Sequence, residues 1–283
     1  MALLCVACGD ATRPPAFDAP AFVFVSEVGG VSQLFRFRND SIVPLVAGGG
    51  DDFGPKSASG RIVFTSRRDG NAELYLTGVD GTAPRRLTNH AADDGEGAPD
   101  SRAERVAFVS ARSGAPRIWL MDTTGANLAA LATGSAAFVA EHAPAWSPQG
   151  DRIAFTSLRT GTSQVFVVPA AGGDAEQVTH ESAGAFSPSW SADGSSIRYV
   201  TGAAEPRLRA VVLASGAVAD FATDRGGLGD LSCSSEVCLA VSAPLGPDRD
   251  IVAIVPGSRA PIPVLARVES DRQPAVIEDG GPE

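Results

Sequence analysis

The stretch Pro144-Ala145-Trp146-Ser147-Pro148-Gln149-Gly150-Asp151-Arg152-Ile153-Ala154-Phe155-Thr156-Ser157 decides the fold, together with its continuation through Gln164-Val165-Phe166-Val167-Val168, Gly172-Gly173 and Glu176-Gln177-Val178-Thr179-His180. It reads as one small antiparallel sheet. Residues 144–147 form a short first strand, and Pro148-Gln149-Gly150-Asp151 a turn, because proline presets the bend and glycine accepts positive φ. A β-rich second strand follows over 153–157, a turn at Arg159-Thr160-Gly161, a third strand over 164–168, a turn over 170–173 and a fourth strand over 175–179. Strands this short cannot bury both faces alone, so the unit must stack against copies of itself.

The copies are present. Upstream lie Ala98-Pro99-Asp100-Ser101 with Arg105-Val106-Ala107-Phe108-Val109-Ser110, and Gly54-Pro55-Lys56-Ser57 with Arg61-Ile62-Val63-Phe64-Thr65-Ser66. Downstream is Pro188-Ser189-Trp190-Ser191-Ala192-Asp193-Gly194 with Ile197-Arg198-Tyr199-Val200. The second-strand aromatic recurs at Phe64, Phe108, Phe155 and Tyr199, at intervals of 44, 47 and 44 residues. A period of roughly 40–45 residues with four strands per repeat marks a β-propeller. Weaker copies flank these: Phe22-Val23-Phe24-Val25-Ser26 with Gln33-Leu34-Phe35-Arg36-Phe37, and Leu231-Ser232-Cys233-Ser234 with 237–242 and 250–255. The expectation is all-β: six four-stranded antiparallel blades. The first blade lacks a first strand at its own N-terminus. Pro274-Ala275-Val276-Ile277 matches Pro144-Ala145-Trp146-Ser147 in register, so the C-terminus is expected to supply it and close the ring, removing two open edges.

The repeat turns 283 residues into one domain over 21–277, with a signal-like N-terminus and tether over 1–20 and a tail over 278–283. An apolar content of 44% supports a sizeable core, and 31 glycines with 20 prolines suit many tight turns. The formal net charge is −10 and Lys56 is the one lysine, which argues against nucleic acid. No apolar stretch is long enough to span a membrane. The start, Met1-Ala2-Leu3-Leu4-Cys5-Val6-Ala7-Cys8-Gly9, resembles a lipoprotein cleavage site with Cys8 as the lipidated residue, although its apolar run is short and no basic residues precede it. Cys233 and Cys238 flank Ser234-Ser235-Glu236. As facing positions of a hairpin they fall within disulfide range, and an exported protein would permit the bond; the alternative is two small buried residues.

The pattern Pro-x-Trp-Ser-Pro-x-Gly-x-x-Ile-Ala-Phe-x-Ser, then Gly, an aromatic third strand, Gly, and Leu or Val before Thr, resembles the propeller repeats of the TolB family. The resemblance covers roughly residues 20–277 and is strongest in blades two to five. Members carry an α/β domain ahead of the propeller. Only about 20 residues precede the first blade here, so a stand-alone propeller is expected. The resemblance implies the bacterial periplasm or outer surface, and binding of a protein or peptide at the channel mouth. It speaks to fold more than function.

Catalytic signals are sparse. No Gly-x-Ser-x-Gly elbow exists. His90 and His180 follow the Leu/Val-Thr that ends their blades, and His142 precedes Pro144, so all three read as polar residues at strand ends. Trp146, Trp190 and Trp119 read as core. One feature repeats. Three residues before the strand-opening prolines Pro55, Pro99, Pro144 and Pro274 stand Asp52, Glu96, Glu141 and Asp271; Pro188 gives Ala185. The first strand of a blade is innermost, so these positions form a ring by the channel. Either they cap their own turns or they make an acidic mouth that attracts a basic segment. The reading is a monomeric, non-catalytic envelope protein that binds a protein or peptide with a basic segment there, without a cofactor, a channel-bound cation such as calcium being compatible. The alternative is a lyase or hydrolase acting on a sugar polymer or peptide, with a metal in the channel.

Overall fold

The computed structural model of the chain describes residues 19–48, 50–134, 139–204, 206–222, 228–233, 237–242, 250–254, 262–265 and 271–277. They form six four-stranded antiparallel sheets arranged as blades. Blade I holds β1 (Phe22–Val28), β2 (Val31–Arg38) and β3 (Ser41–Pro44). Blade II holds β4 (Asp52–Ala58), β5 (Arg61–Ser66), β6 (Glu73–Gly78) and β7 (Arg85–Arg86). Blade III holds β8 (Asp94–Pro99), β9 (Arg105–Ser110), β10 (Arg117–Asp122) and β11 (Ala129–Ala130). Blade IV holds β12 (Glu141–Trp146), β13 (Arg152–Ser157), β14 (Gln164–Pro169) and β15 (Glu176–Gln177). Blade V holds β16 (Ala185–Trp190), β17 (Ser196–Thr201), β18 (Leu208–Val212) and β19 (Val218–Ala222). Blade VI holds β20 (Leu228–Cys233), β21 (Cys238–Ser242), β22 (Asp250–Ile254) and β23 (Ile262–Leu265). The last strand, β24 (Asp271–Val276), pairs with β1 and completes blade I, as the repeat arithmetic requires.

The core is the set of seams between blades. Successive strand side chains point to opposite faces, so one strand feeds two seams. In β5, Ile62 and Phe64 pack toward blade I with Val23, Val25 and Leu34, whereas Val63 packs toward blade III with Val106, Phe108 and Met121. The same division runs round the ring, ending where Phe22, Phe24 and Val276 meet Leu239, Ile251 and Ala253 of blade VI. Tryptophan locks two seams: Trp146 Nε1 donates to the Ala98 carbonyl and Trp190 Nε1 to the Ala145 carbonyl, each at 3.0 Å. Arg105 and Arg152 of the preceding blades lie over these indoles, 4.3 and 4.7 Å from the ring centroids.

Each inner strand carries a β-bulge. In β12 the ladder runs Glu141↔Ser157 and His142↔Thr156, then resumes at Ala145↔Ala154, so two residues oppose one. The bulge recurs in β4, β8, β16, β20 and β24. In five of the six its first residue is left-handed: Gly54, Glu96, Ala143, Ser187 and Gln273 have φ between 50° and 60° (60°, 54°, 51°, 51° and 52°). Its second residue is Pro55, Pro144, Pro188 or Pro274 in four blades, because a bulged residue need not donate to the ladder. Blade III has Gly97 instead, where a Cβ would lie 2.6 Å from Val63 Cγ1 and 2.9 Å from Leu74 Cδ2.

Candidate functional site

The bulged inner strands enclose a central channel with a cavity of about 530 Å³, to which every blade contributes. Its wall includes Phe53, Lys56, Glu96, Trp146, Ser187 and Gln273. The bulges also link blades across the channel wall. Gln273 Oε1 accepts from Gly54 N–H at 2.8 Å, and Glu96 Oε2 from Ala143 N–H at 2.5 Å. A side chain at the left-handed position of one blade thus satisfies the bulge of the next.

The four carboxylates expected at a solvated mouth behave differently. Asp52, Glu141 and Asp271 are buried, at 1%, 0% and 0% exposure. They open their strands rather than sitting in the loops before them: inner strands begin three residues ahead of the prolines, and strand alternation turns these positions into the protein. Arg68 Nη2 contacts both Asp52 oxygens at 3.1 and 3.0 Å. Burial pushes the Asp52 carboxyl above its ordinary value, against the pull of Ser66 and Arg68. Glu141 Oε1 accepts from Arg159 Nη2 at 3.0 Å and from the Thr133 hydroxyl, and Oε2 accepts from Arg117 Nε at 3.1 Å.

Glu96 does not belong to this set. In blade III the proline Pro99 sits at the register position of Ser57 and Trp146, two residues later than Pro55 and Pro144. The residue equivalent to Asp52 and Glu141 is Asp94, fully buried and 2.5 Å from Arg112 Nη2. Glu96 faces the channel. Its Oε1 lies 2.9 Å from His142 Nδ1, and the two side chains are 44% and 45% exposed. That hydrogen bond holds the His142 pKa above its ordinary value, with burial opposing. Glu96 is the only carboxylate and Lys56 the only lysine or arginine among the described residues lining the channel.

Three of the buried acids, Asp52, Asp94 and Glu141, meet an arginine two residues past the serine that ends the second strand: Ser66-Arg67-Arg68, Ser110-Ala111-Arg112 and Ser157-Leu158-Arg159. In each, the serine hydroxyl accepts from the arginine Nε, at 2.9, 2.9 and 3.3 Å. The guanidinium then spans the acid and an aromatic pair: Arg68 over Tyr75 and Phe64, Arg112 over Trp119 and Phe108, Arg159 over Phe166 and Phe155. Comparing Ser-x-Arg across repeats would have identified these acids as structural. Blade V has Ala185 opposite Thr201 and no such clamp.

His90 and His180 make local contacts, Ala92 N–H donating to His90 Nδ1 at 3.0 Å and Gln177 Nε2 lying 3.1 Å from His180 Nδ1. Among the described residues no group of three or more His, Cys, Asp or Glu side chains is placed to hold a metal ion. Cys233 and Cys238 are joined by a disulfide. Cys8 lies outside the described residues.

The family model described as TolB beta propeller domain matches residues 136–224. Over those residues the chain is similar to TolB propeller repeats, and as a whole it is a six-bladed β-propeller. A solved structure of TolB from Acinetobacter baumannii superposes with a TM-score of 0.77 at 15% identity, over 93% of this chain and 68% of that one. A protein of Agrobacterium fabrum described as uncharacterized is 31% identical over a stretch covering 47% of this chain and 50% of its own, so the chain matches half the length of that relative. The hydrazine synthase structure from Kuenenia stuttgartiensis also superposes, at a TM-score of 0.71 and 13% identity over 90% of this chain and 46% of that one. The same fold thus recurs in differently described proteins, and what this propeller does must be argued from its own channel.

Proposed function

We propose that this chain is a non-catalytic propeller of the bacterial cell envelope, in the periplasm or at the outer surface, that binds a protein or peptide partner at its channel mouth. The observation that carries the reading is the channel wall. It combines apolar faces of Phe53, Trp146 and the bulge prolines with two polar groups, Lys56 and a half-exposed Glu96 hydrogen-bonded to His142. Apolar lining with a few placed polar groups is what a binding site needs. Lys56 balances Glu96 on the channel wall, so attraction of a basic segment rests on the overall net charge of −10, with Glu96 as its single contact there, rather than on four solvated carboxylates. The Cys233–Cys238 disulfide suits an oxidising compartment, and lipid on Cys8 would hold the protein at a membrane.

The test uses the purified full chain, immobilised and exposed to a bacterial envelope extract. A retained partner should be released as salt rises, and Glu96→Lys should weaken retention several-fold, since exposed pairs contribute about 0.2–1 kcal/mol each and the change reverses a charge. Retention unaffected by both salt and Glu96→Lys would remove the channel mouth as the binding site.

A further inference from the structure

Cys233 and Cys238 face each other across the β20–β21 ladder, yet their sulfurs stand in different surroundings. Cys233 occupies the inner-strand position that holds Trp146 and Trp190 in blades IV and V. It is partly exposed and lines the channel. Cys238 is fully buried in the seam between blades V and VI, among Leu208, Leu231 and Ile254. From blade V, Arg198 Nη1 reaches to 3.3 Å from Cys238 Sγ.

Arg198 is out of place for a propeller seam. It stands at the second-strand position that Val63, Ala107 and Ala154 fill in blades II, III and IV, and it is 8% exposed. Burial lowers its pKa, with the charge of Asp193 pulling the other way. A disulfide sulfur is a weak acceptor for such a donor, whereas a thiolate would be a charged one and would bind it much more strongly.

We propose that this disulfide is an exchange site for a small-molecule thiol entering from the channel. The incoming thiolate attacks Cys233 Sγ. A new S–S bond forms there, the Cys233–Cys238 bond breaks, and the electron pair leaves on Cys238 Sγ as a thiolate paired with Arg198. Return attack by Cys238 on the mixed disulfide reverses the step; a second thiolate attacking the mixed disulfide completes reduction. The polarity follows from access on one side and leaving-group stabilisation on the other.

Reduced glutathione is the probe. The folded full chain is incubated with it, quenched in acid, digested and mapped by mass spectrometry. Glutathione is expected on Cys233 in about tenfold or greater excess over Cys238, under conditions where the chain stays folded. Arg198→Met should slow bond opening about tenfold, and Arg198→Lys should recover most of the rate, because a neighbouring cation makes the thiolate the better leaving group. Glutathione on Cys238, equal labelling of both, or opening only in denaturant would overturn the proposal. So would a folded Arg198→Met variant that opens at the wild-type rate. The wild-type map decides the matter even if that variant fails to fold.

Discussion

Replacing Glu141 with Gln probes the clamp that the ring uses to bury charge. Glutamine keeps the shape and volume but removes the negative charge that Arg117 and Arg159 share. Glu141 is fully buried, and each arginine side chain is only 15% exposed, so two cations would face a neutral amide with little water to compensate. Removing one partner of a buried ion pair costs about 3–5 kcal/mol. The residual exposure, and the contacts Arg159 keeps with the Thr133 carbonyl at 2.9 Å and with the rings of Phe155 and Phe166, place the expected loss at the low end. About 3 kcal/mol corresponds to roughly 6–12 °C in a domain of this size. Thermal melting by circular dichroism, with urea unfolding to check that the slope is unchanged, measures it. Glu96→Gln is the control: its half-exposed pair should cost under about 1 kcal/mol. A Glu141→Gln protein that melts within about 2 °C of wild type would refute the clamp.

Other outcomes follow from the same geometry. Removing residues 271–283 takes away β24 and exposes the seams on both sides of β1; the truncated chain should lose its cooperative melt near the wild-type temperature, and an unchanged melt would contradict closure. Trp190→Phe leaves the Ala145 carbonyl without its indole donor and weakens the Arg152 stack, which should cost about 1–2 kcal/mol in urea unfolding. The His142 pKa is raised in the folded state, so its pair with Glu96 stabilises fully below the unfolded value near 6.5 and the contribution fades as pH rises through the folded value; the stability difference between wild type and Glu96→Gln should shrink over that window. Asp193, held down to about 2 by Ser191 and Ser195, works in the opposite sense: its contribution is present above about 3.8 and lost as pH falls toward 2, so Asp193→Ala should differ from wild type at neutral pH and converge with it in acid.

The ring was legible because it is written as a repeat. Phe64, Phe108, Phe155 and Tyr199 mark the period, and Pro274-Ala275-Val276 marks the closing strand. The acids are harder to place because proline does not keep one register position in every blade. Proline recurs at the bulge, where no ladder hydrogen is needed, but Pro99 lies two residues further along its strand, and that slip exchanged Asp94 for Glu96. Burial of Asp52 and Glu141 was hidden for a different reason. A carboxylate at the head of an inner strand looks solvated until the arginine two residues past the second-strand serine is brought beside it by the hairpin. The unequal surroundings of Cys233 and Cys238 depend on Arg198 from another blade, which spacing within the hairpin cannot reveal.

The proposed partner site is the channel mouth. Photo-crosslinking from single sites in cells tests it most directly. A photoreactive residue at Ser187 or Gln273, on the channel wall, is compared with one at Val212 or Val218, exposed on the outer strands of blade V. One discrete crosslinked polypeptide is expected from both channel sites, absent from both outer sites and diminished in the Glu96→Lys background. The same adduct from the outer sites, or none from the channel, would contradict it.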